Sequence, residues 1–212
     1  IDNIGLAPIA AGIKSDGSPD LLLIQLPEGS TCAGVFTKNV FCAAPVTIAK
    51  QHLTDSNGAI RAMLINSGNA NAGTGEPGIA MALTHCEAVA AQLNVATEQV
   101  LPYSTGVIGQ LLPDAIVLSG IKTAAQSIGS DWAAAARSIM TTDTEPKLTS
   151  QQVTIDGEVI TITGMAKGAG MIQPNMATML SYLFTDAAIN QADLKHALES
   201  CVATSFNSIT VD

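Results

Sequence analysis

The chain has 212 residues, 47% hydrophobic, 3% aromatic and 13% charged, with a formal net charge of −9. That length suffices for one large domain whose core needs no disulfide or metal staples, and so little charge beside so much apolar content argues against disorder. The acidic balance, with no cluster of Lys and Arg, argues against nucleic acid as a partner.

The first fifty residues read as short strands on tight connections. A strand over 9–14 leads into the turn signal Ser15-Asp16-Gly17-Ser18-Pro19, and the continuous apolar run 21–26 suits a strand buried on both faces. Further strands are predicted over 32–38 and 45–49. From residue 60 the pattern becomes α/β alternation. The strand 62–65 runs into the polar loop Asn66-Ser67-Gly68-Asn69-Ala70-Asn71-Ala72-Gly73-Thr74-Gly75. Apolar residues at Ile79, Leu83, Cys86, Val89, Ala90 and Leu93 then predict a helix over 78–93. The strand 100–103 delivers Ser104-Thr105-Gly106-Val107-Ile108-Gly109. Helices follow over 114–128 and 130–140, the second with Ser130 as N-cap.

Asp156-Gly157 between 152–155 and 158–162 is the signature of a two-residue hairpin. A strand over 178–184 comes next, then an amphipathic helix capped by Asn190 and a terminal strand over 208–212. An antiparallel meander and hairpin mixed with βα alternation predict a mixed α/β sandwich in a single domain, 1–212, not a doubly wound parallel fold.

The cysteines at 32, 42, 86 and 201 include no CxxC pair, and the histidines at 52, 85 and 196 are scattered. Neither a zinc site nor a disulfide framework is expected, and the cysteines read as small buried apolar groups. On a helix, adjacent His85 and Cys86 point in different directions and cannot pair as base and nucleophile. No apolar run approaches the roughly 18 residues of a membrane span, and Ile1-Asp2-Asn3-Ile4-Gly5 does not read as a signal peptide, so a cytoplasmic location is expected. Ile1 is not an initiator, and 208–212 reads as a strand cut short. The native protein is therefore expected to start elsewhere and to continue beyond Asp212.

Three loops rich in Gly and hydroxyl residues follow predicted strands, at 66–75, 104–109 and 167–178. Such loops are where sites usually form, although each also reads as a polar turn, a helix start or a tight lead into a strand. No GxxxxGK[ST], dinucleotide fingerprint or GxSxG elbow is present. In the third loop Gly168 and Gly170 permit unusual backbone angles, Pro174 restrains Gln173, and Thr178 opens the next strand. A threonine nucleophile needs a base, and no histidine lies near it in sequence. Its own α-amine, with a pKa of about 7.7–8.0, suits the task once the Ala177–Thr178 bond is cut. Lys167 stands on uncharged sequence, beside a cleft or simply exposed. Thr141-Thr142-Asp143-Thr144-Glu145-Pro146-Lys147 is a fourth polar loop.

The segment Lys167-Gly168-Ala169-Gly170-Met171-Ile172-Gln173-Pro174-Asn175-Met176-Ala177-Thr178-Met179-Leu180 resembles the self-processing segment of the glutamate N-acetyltransferase (ornithine acetyltransferase) family of arginine biosynthesis. The runs at 42–46, 66–72, 104–109 and 141–144 resemble other motifs of that family, in its order. Gly73 departs from the cysteine expected there, with no assigned role resting on it. The resemblance implies an α/β (α+β) sandwich with two central mixed sheets and flanking helices. It also implies autocleavage between Ala177 and Thr178 into an α chain, 1–177, and a β chain beginning with 178–212, associated as an α2β2 heterotetramer. Thr178 would carry acetyl from N2-acetyl-L-ornithine to L-glutamate by a ping-pong route. Thr105 and Gly106 match the oxyanion-hole pair, and Thr144, Lys167 and Thr178 match substrate-binding positions. No metal or resident cofactor is implied; acetyl-CoA serves some members as acetyl donor. The alternatives are a self-cleaving aminopeptidase of the same superfamily and a non-catalytic fragment.

Overall fold

Two β-sheets stacked face to face form the centre of the computed structural model, which describes residues 1–170, 172 and 179–211. The first sheet runs β1 (Gly5–Ile9), β2 (Leu21–Gln25), β3 (Ala62–Asn69), β4 (Val100–Val107); its first two pairings are antiparallel and β3–β4 is parallel. The second comprises β5 (Lys147–Ile155), β6 (Glu158–Lys167) and β7 (Leu180–Thr185). The sandwich of two sheets with flanking helices is as expected. Only the first sheet is mixed, however; the second is antiparallel throughout.

The unbroken apolar run of β2 has its reason in this layering, because a strand covered on both sides gains from apolar residues at every position. Leu22 and Ile24 enter the core between the sheets with Met63, Ile65, Leu101, Met165, Tyr182 and Phe184. Leu21 and Leu23 face the other way, beneath α1 (Ala44–Asp55), α2 (Gly75–Leu93) and α3 (Asp114–Gln126). The short α4 (Trp132–Ser138) inserts Ala135 and Ala136 into the inter-sheet core. Edge-to-face ring pairs Tyr103–Tyr182 and Trp132–Phe184, with centroids 5.0 and 5.1 Å apart, join the layers. The last helix is α5 (Gln191–Thr204), whose Asn190 cap accepts from the Asp193 amide as expected. Among the described residues no helix is long and apolar enough to cross a membrane.

Several expectations are corrected. The first strand is 5–9, not 9–14, because residues 11–14 wrap their amides around the Asp20 carboxylate instead of extending. Residues 32–38 form no strand. Residues 45–49 are helical: Pro45 sits in the first turn, and buried Ala44, Ile48 and His52 recur at helical spacing. Strands β3 and β4 run on through Asn69 and Val107, so the first four residues of each motif expected as a loop there are strand. Asp131, not Ser130, caps α4, accepting from the Ala134 amide. Near the end, 206–208 is a 3-10 turn, and Val211 makes a single bridge to Ile172. Cys86 is buried, whereas Cys32 and Cys42 are half-buried and Cys201 is exposed. Burial pushes the Cys86 thiol up to about 12 and Cys32 to about 11, which leaves both unreactive.

Candidate active site

Strand periodicity places the two described side chains of greatest interest. Along β4, Leu101 lies in the inter-sheet core and Tyr103 packs against it, so Thr105 projects from the same face. Along β6, Met165 lies in that core, so Lys167 also projects from its inner face. Both stand at the C-terminal ends of their strands. Thr105 is half-buried and Gly106 exposed, while Lys167 is only 7% exposed.

Gly106 is required by its surroundings. Its φ is +136°, and an added Cβ would lie 2.3 Å from the Gly68 carbonyl carbon and 2.5 Å from the Asn69 nitrogen. Gly106 pairs with Gly68, and the register slips at Asn69, which faces both Thr105 and Val107. This bulge bends the end of the β3–β4 pair. Behind it, the asparagine-rich motif is a buried scaffold. Ser104 Oγ donates to Asn66 Oδ1 (2.6 Å), Asn66 Nδ2 to the Asn69 carbonyl (2.8 Å), and Asn71 Nδ2 to the Gly78 carbonyl (3.0 Å). A water-sized cavity, lined mostly by apolar residues such as Leu21, Leu64 and Val117, borders this network at Asn66, Asn71 and Ser104. A groove of about 350 Å³ beside Phe41, Cys42 and Thr74 is lined by neither Thr105 nor Lys167.

Charged groups converge on the other half of the site. Asp143 Oδ1 accepts from the Gly168 amide (2.7 Å) and from Lys147 Nζ (2.6 Å). Burial raises the Asp143 carboxyl, but the hydrogen bonds from Lys147, Gly168 and Thr141 outweigh it and hold the group below the carboxylate range. Burial lowers the Lys167 amine; Asp143 opposes this, while Lys147 and Lys14 add to it. A desolvated amine with other ammonium groups close by favours an anionic ligand group, which would add to the counter-charge of Asp143. Among the described residues no three His, Cys, Asp or Glu side chains come together as a metal site would require.

Of the residues singled out in the sequence, the structure links Lys167 through Gly168 to the 141–144 loop; Lys14, whose stem lies over Gly68 beside Gly106, donates to the Met140 carbonyl at the start of that loop. Thr144 is exposed, one residue beyond Asp143. Ala177 and Thr178 lie outside the described residues; β7 begins at Leu180, opposite Lys167. Lys14, Asp20 and Asp143 were not singled out. Asp20 did carry a signal, a lone charge at the mouth of an otherwise apolar strand.

Residues 5–212 match the ArgJ family. The chain belongs to the ArgJ family. The arginine biosynthesis bifunctional protein ArgJ of Methylococcus capsulatus (strain Bath) is 52% identical over 213 residues, covering 100% of this chain and 52% of that protein. Its counterpart from Pseudomonas syringae pv. tomato is 52% identical over 204 residues, 96% of this chain and 50% of that one. The chain therefore spans about half the length of the curated ArgJ relatives it matches. Among solved structures, the Bacillus halodurans ArgJ protein superposes with a TM-score of 0.75 at 34% identity, covering 83% of this chain and 92% of that one. The Mycobacterium tuberculosis ornithine acetyltransferase, complexed with ornithine, gives 0.71 at 36% identity, covering 84% and 93%. A Pyrococcus horikoshii protein at 12% identity and a TM-score of 0.55 shares the fold, with 97% of this chain and 68% of that one covered.

Proposed function

We propose that this protein is an acyltransferase of arginine biosynthesis that moves acetyl from N2-acetyl-L-ornithine to L-glutamate through an acetyl-Thr178 ester. The observation that carries the reading is the buried Lys167 amine at the end of β6, next to the Gly168 amide that Asp143 accepts from, in a chain of the ArgJ family. The ornithine bound to the Mycobacterium relative supports the substrate class.

In this scheme Thr178 Oγ first attacks the Ala177 carbonyl, the Ala177–Thr178 C–N bond breaks, and the hydroxyl proton ends on the departing nitrogen. The resulting ester is hydrolysed by water, leaving a carboxylate on Ala177 and a free α-amine on Thr178. That amine then takes the hydroxyl proton as Oγ attacks the acetyl carbonyl of acetylornithine. Thr105 and Gly106 stabilise the oxyanion, the C–N bond breaks, and ornithine leaves carrying the proton. Glutamate reverses the sequence with its own amine and departs acetylated. Lys167 would receive a substrate carboxylate, and the Thr144 hydroxyl would complete the contact. No metal or resident cofactor enters the scheme; acetyl-CoA would act only as an alternative donor, detectable as glutamate-dependent release of CoA. The α and β chains would remain together as an α2β2 assembly in the cytoplasm.

Acetyl exchange between acetylornithine and glutamate, measured on the full-length protein, tests the reading. Hydrolysis without transfer would favour an aminopeptidase, and no turnover a binding role. Thr178→Ala is expected to abolish both turnover and the two fragments that mass spectrometry would otherwise show, broken at residue 178. Cleavage of that variant after Ala177 would overturn the mechanism.

A further inference from the structure

Asp20 is 0% exposed, yet among the described residues it forms no salt bridge. Its carboxylate is instead solvated by four backbone amides: Ala11 to Oδ1 (2.7 Å), and Gly12 (3.1 Å), Ile13 (2.6 Å) and Lys14 (2.9 Å) to Oδ2. Amide bonds to an ionised acceptor are roughly twice as strong as neutral ones, so this carboxylate dictates the path of the loop. Asp20 is itself fixed in the first sheet, its amide donating to the Ile9 carbonyl and its carbonyl accepting from the Ser67 amide, both at 2.9 Å.

The loop so shaped delivers Lys14 to the site. An added Cβ on Gly68 would lie 3.0 Å from Lys14 Cγ and 3.4 Å from Ile13 Cγ2, so the loop packs on the glycine whose other neighbour is Gly106. The ammonium group then reaches onward, donating to the carbonyls of Met140 (2.8 Å) and Pro19 (3.1 Å). Met140 leads directly into 141–144, whose Asp143 holds the Gly168 amide next to Lys167. Two of the three ammonium donors are committed to carbonyls, which suits a strut and not a proton carrier.

From this geometry we infer that Asp20 and Lys14 are positioning residues that hold the Thr105–Gly106 strand end and the 141–144 loop in one frame. The inference rests on reading Thr105 and Gly106 as the oxyanion-stabilising pair. Misplacing a reacting group by about 1 Å can cost about 100-fold in rate, so such a frame has a kinetic signature.

The test compares Lys14→Met, Lys14→Arg and Asp20→Asn with the parent in the full-length protein, by acetyl exchange, thermal unfolding and hydrogen exchange. Lys14→Met keeps the stem over Gly68 and loses the carbonyl ties. Its kcat is expected to fall at least about 10-fold with KM changed less than about 3-fold, and Lys14→Arg is expected to recover most of the loss. Amide exchange should quicken at 104–107 and 140–144 in both Lys14→Met and Asp20→Asn, with β7 unchanged. Unaltered kcat in Lys14→Met, or a loss that only follows its melting temperature and that Arg does not restore, would overturn the inference. If the parent itself moved no acetyl, the functional reading would fall instead. The exchange pattern would then decide the framing role: local quickening would support it, and uniform or absent change would overturn it.

Discussion

Gly106 is hemmed in by backbone atoms, which cannot swing aside as a side chain can. With φ at +136° and backbone atoms 2.3–2.6 Å from where a Cβ would stand, Gly106→Ala must push β4 away from β3. We expect a loss of about 1–3 kcal/mol in stability, measured by denaturant titration, together with loss of acetyl transfer. Lys167 should behave in the opposite way. Its burial works against its own charge, so Lys167→Met is expected to leave the melting temperature unchanged or raised while transfer collapses. A fall in both would make Lys167 a structural residue. Asp143 sets an acid limit. Its carboxyl lies below the ordinary 3.8, so the unfolded chain binds the proton more readily than the folded one. Its stabilisation is therefore complete above about pH 4 and drains away as pH falls through the folded value. Asp143→Asn should be less stable than the parent at pH 7, with the gap closing in acid unfolding curves.

At the scale of elements, local patterns were read correctly where they were self-sufficient. The β5–β6 hairpin turns on Asp156 and Gly157 with φ of 51° and 87°, as the dipeptide suggested. Gly157→Ala should cost about 1–2 kcal/mol, because a left-handed position resists a Cβ; faster amide exchange confined to β5 and β6 would show it. Helix α1 replaces the strand expected over 45–49, although Val46, Thr47 and Ile48 favour strand locally. Tertiary packing overrides that preference: Ala44 and Ile48 are buried beneath the first sheet, and His52 Nδ1 lies 2.7 Å from the Val100 carbonyl of β4. The strand expected over 9–14 failed for a similar reason. Its amides find a better acceptor in Asp20 than in any neighbouring strand.

At the scale of the molecule, the outer face of the second sheet is uncovered by any of the described residues. Val153, Ile155, Ile162 and Leu183 share that face by register and are 44%, 51%, 43% and 53% exposed. Residues 1–212 expressed alone are expected to self-associate, since contiguous apolar area of this kind promotes aggregation. Val153→Lys with Leu183→Lys should restore a monodisperse species in size-exclusion chromatography. A monomeric parent would show the face to be tolerated in water.

The alternation of elements, the buried β2, the hairpin, α2, α3 and the cap of α5 are legible in the chain alone, because each depends on residues within a few positions. The sequence also carried the motif resemblance that family membership bears out. The folded chain was needed to show that Lys167 is desolvated, that Gly106 has no room for a side chain, and that Asp20 is ringed by amides; the fold alone joins Lys14 to Met140 across 126 residues. The physical reason is that periodicity reports which side of an element is apolar, whereas the state of a charge depends on what folds over it. That is set by distant chain, and no local pattern encodes it.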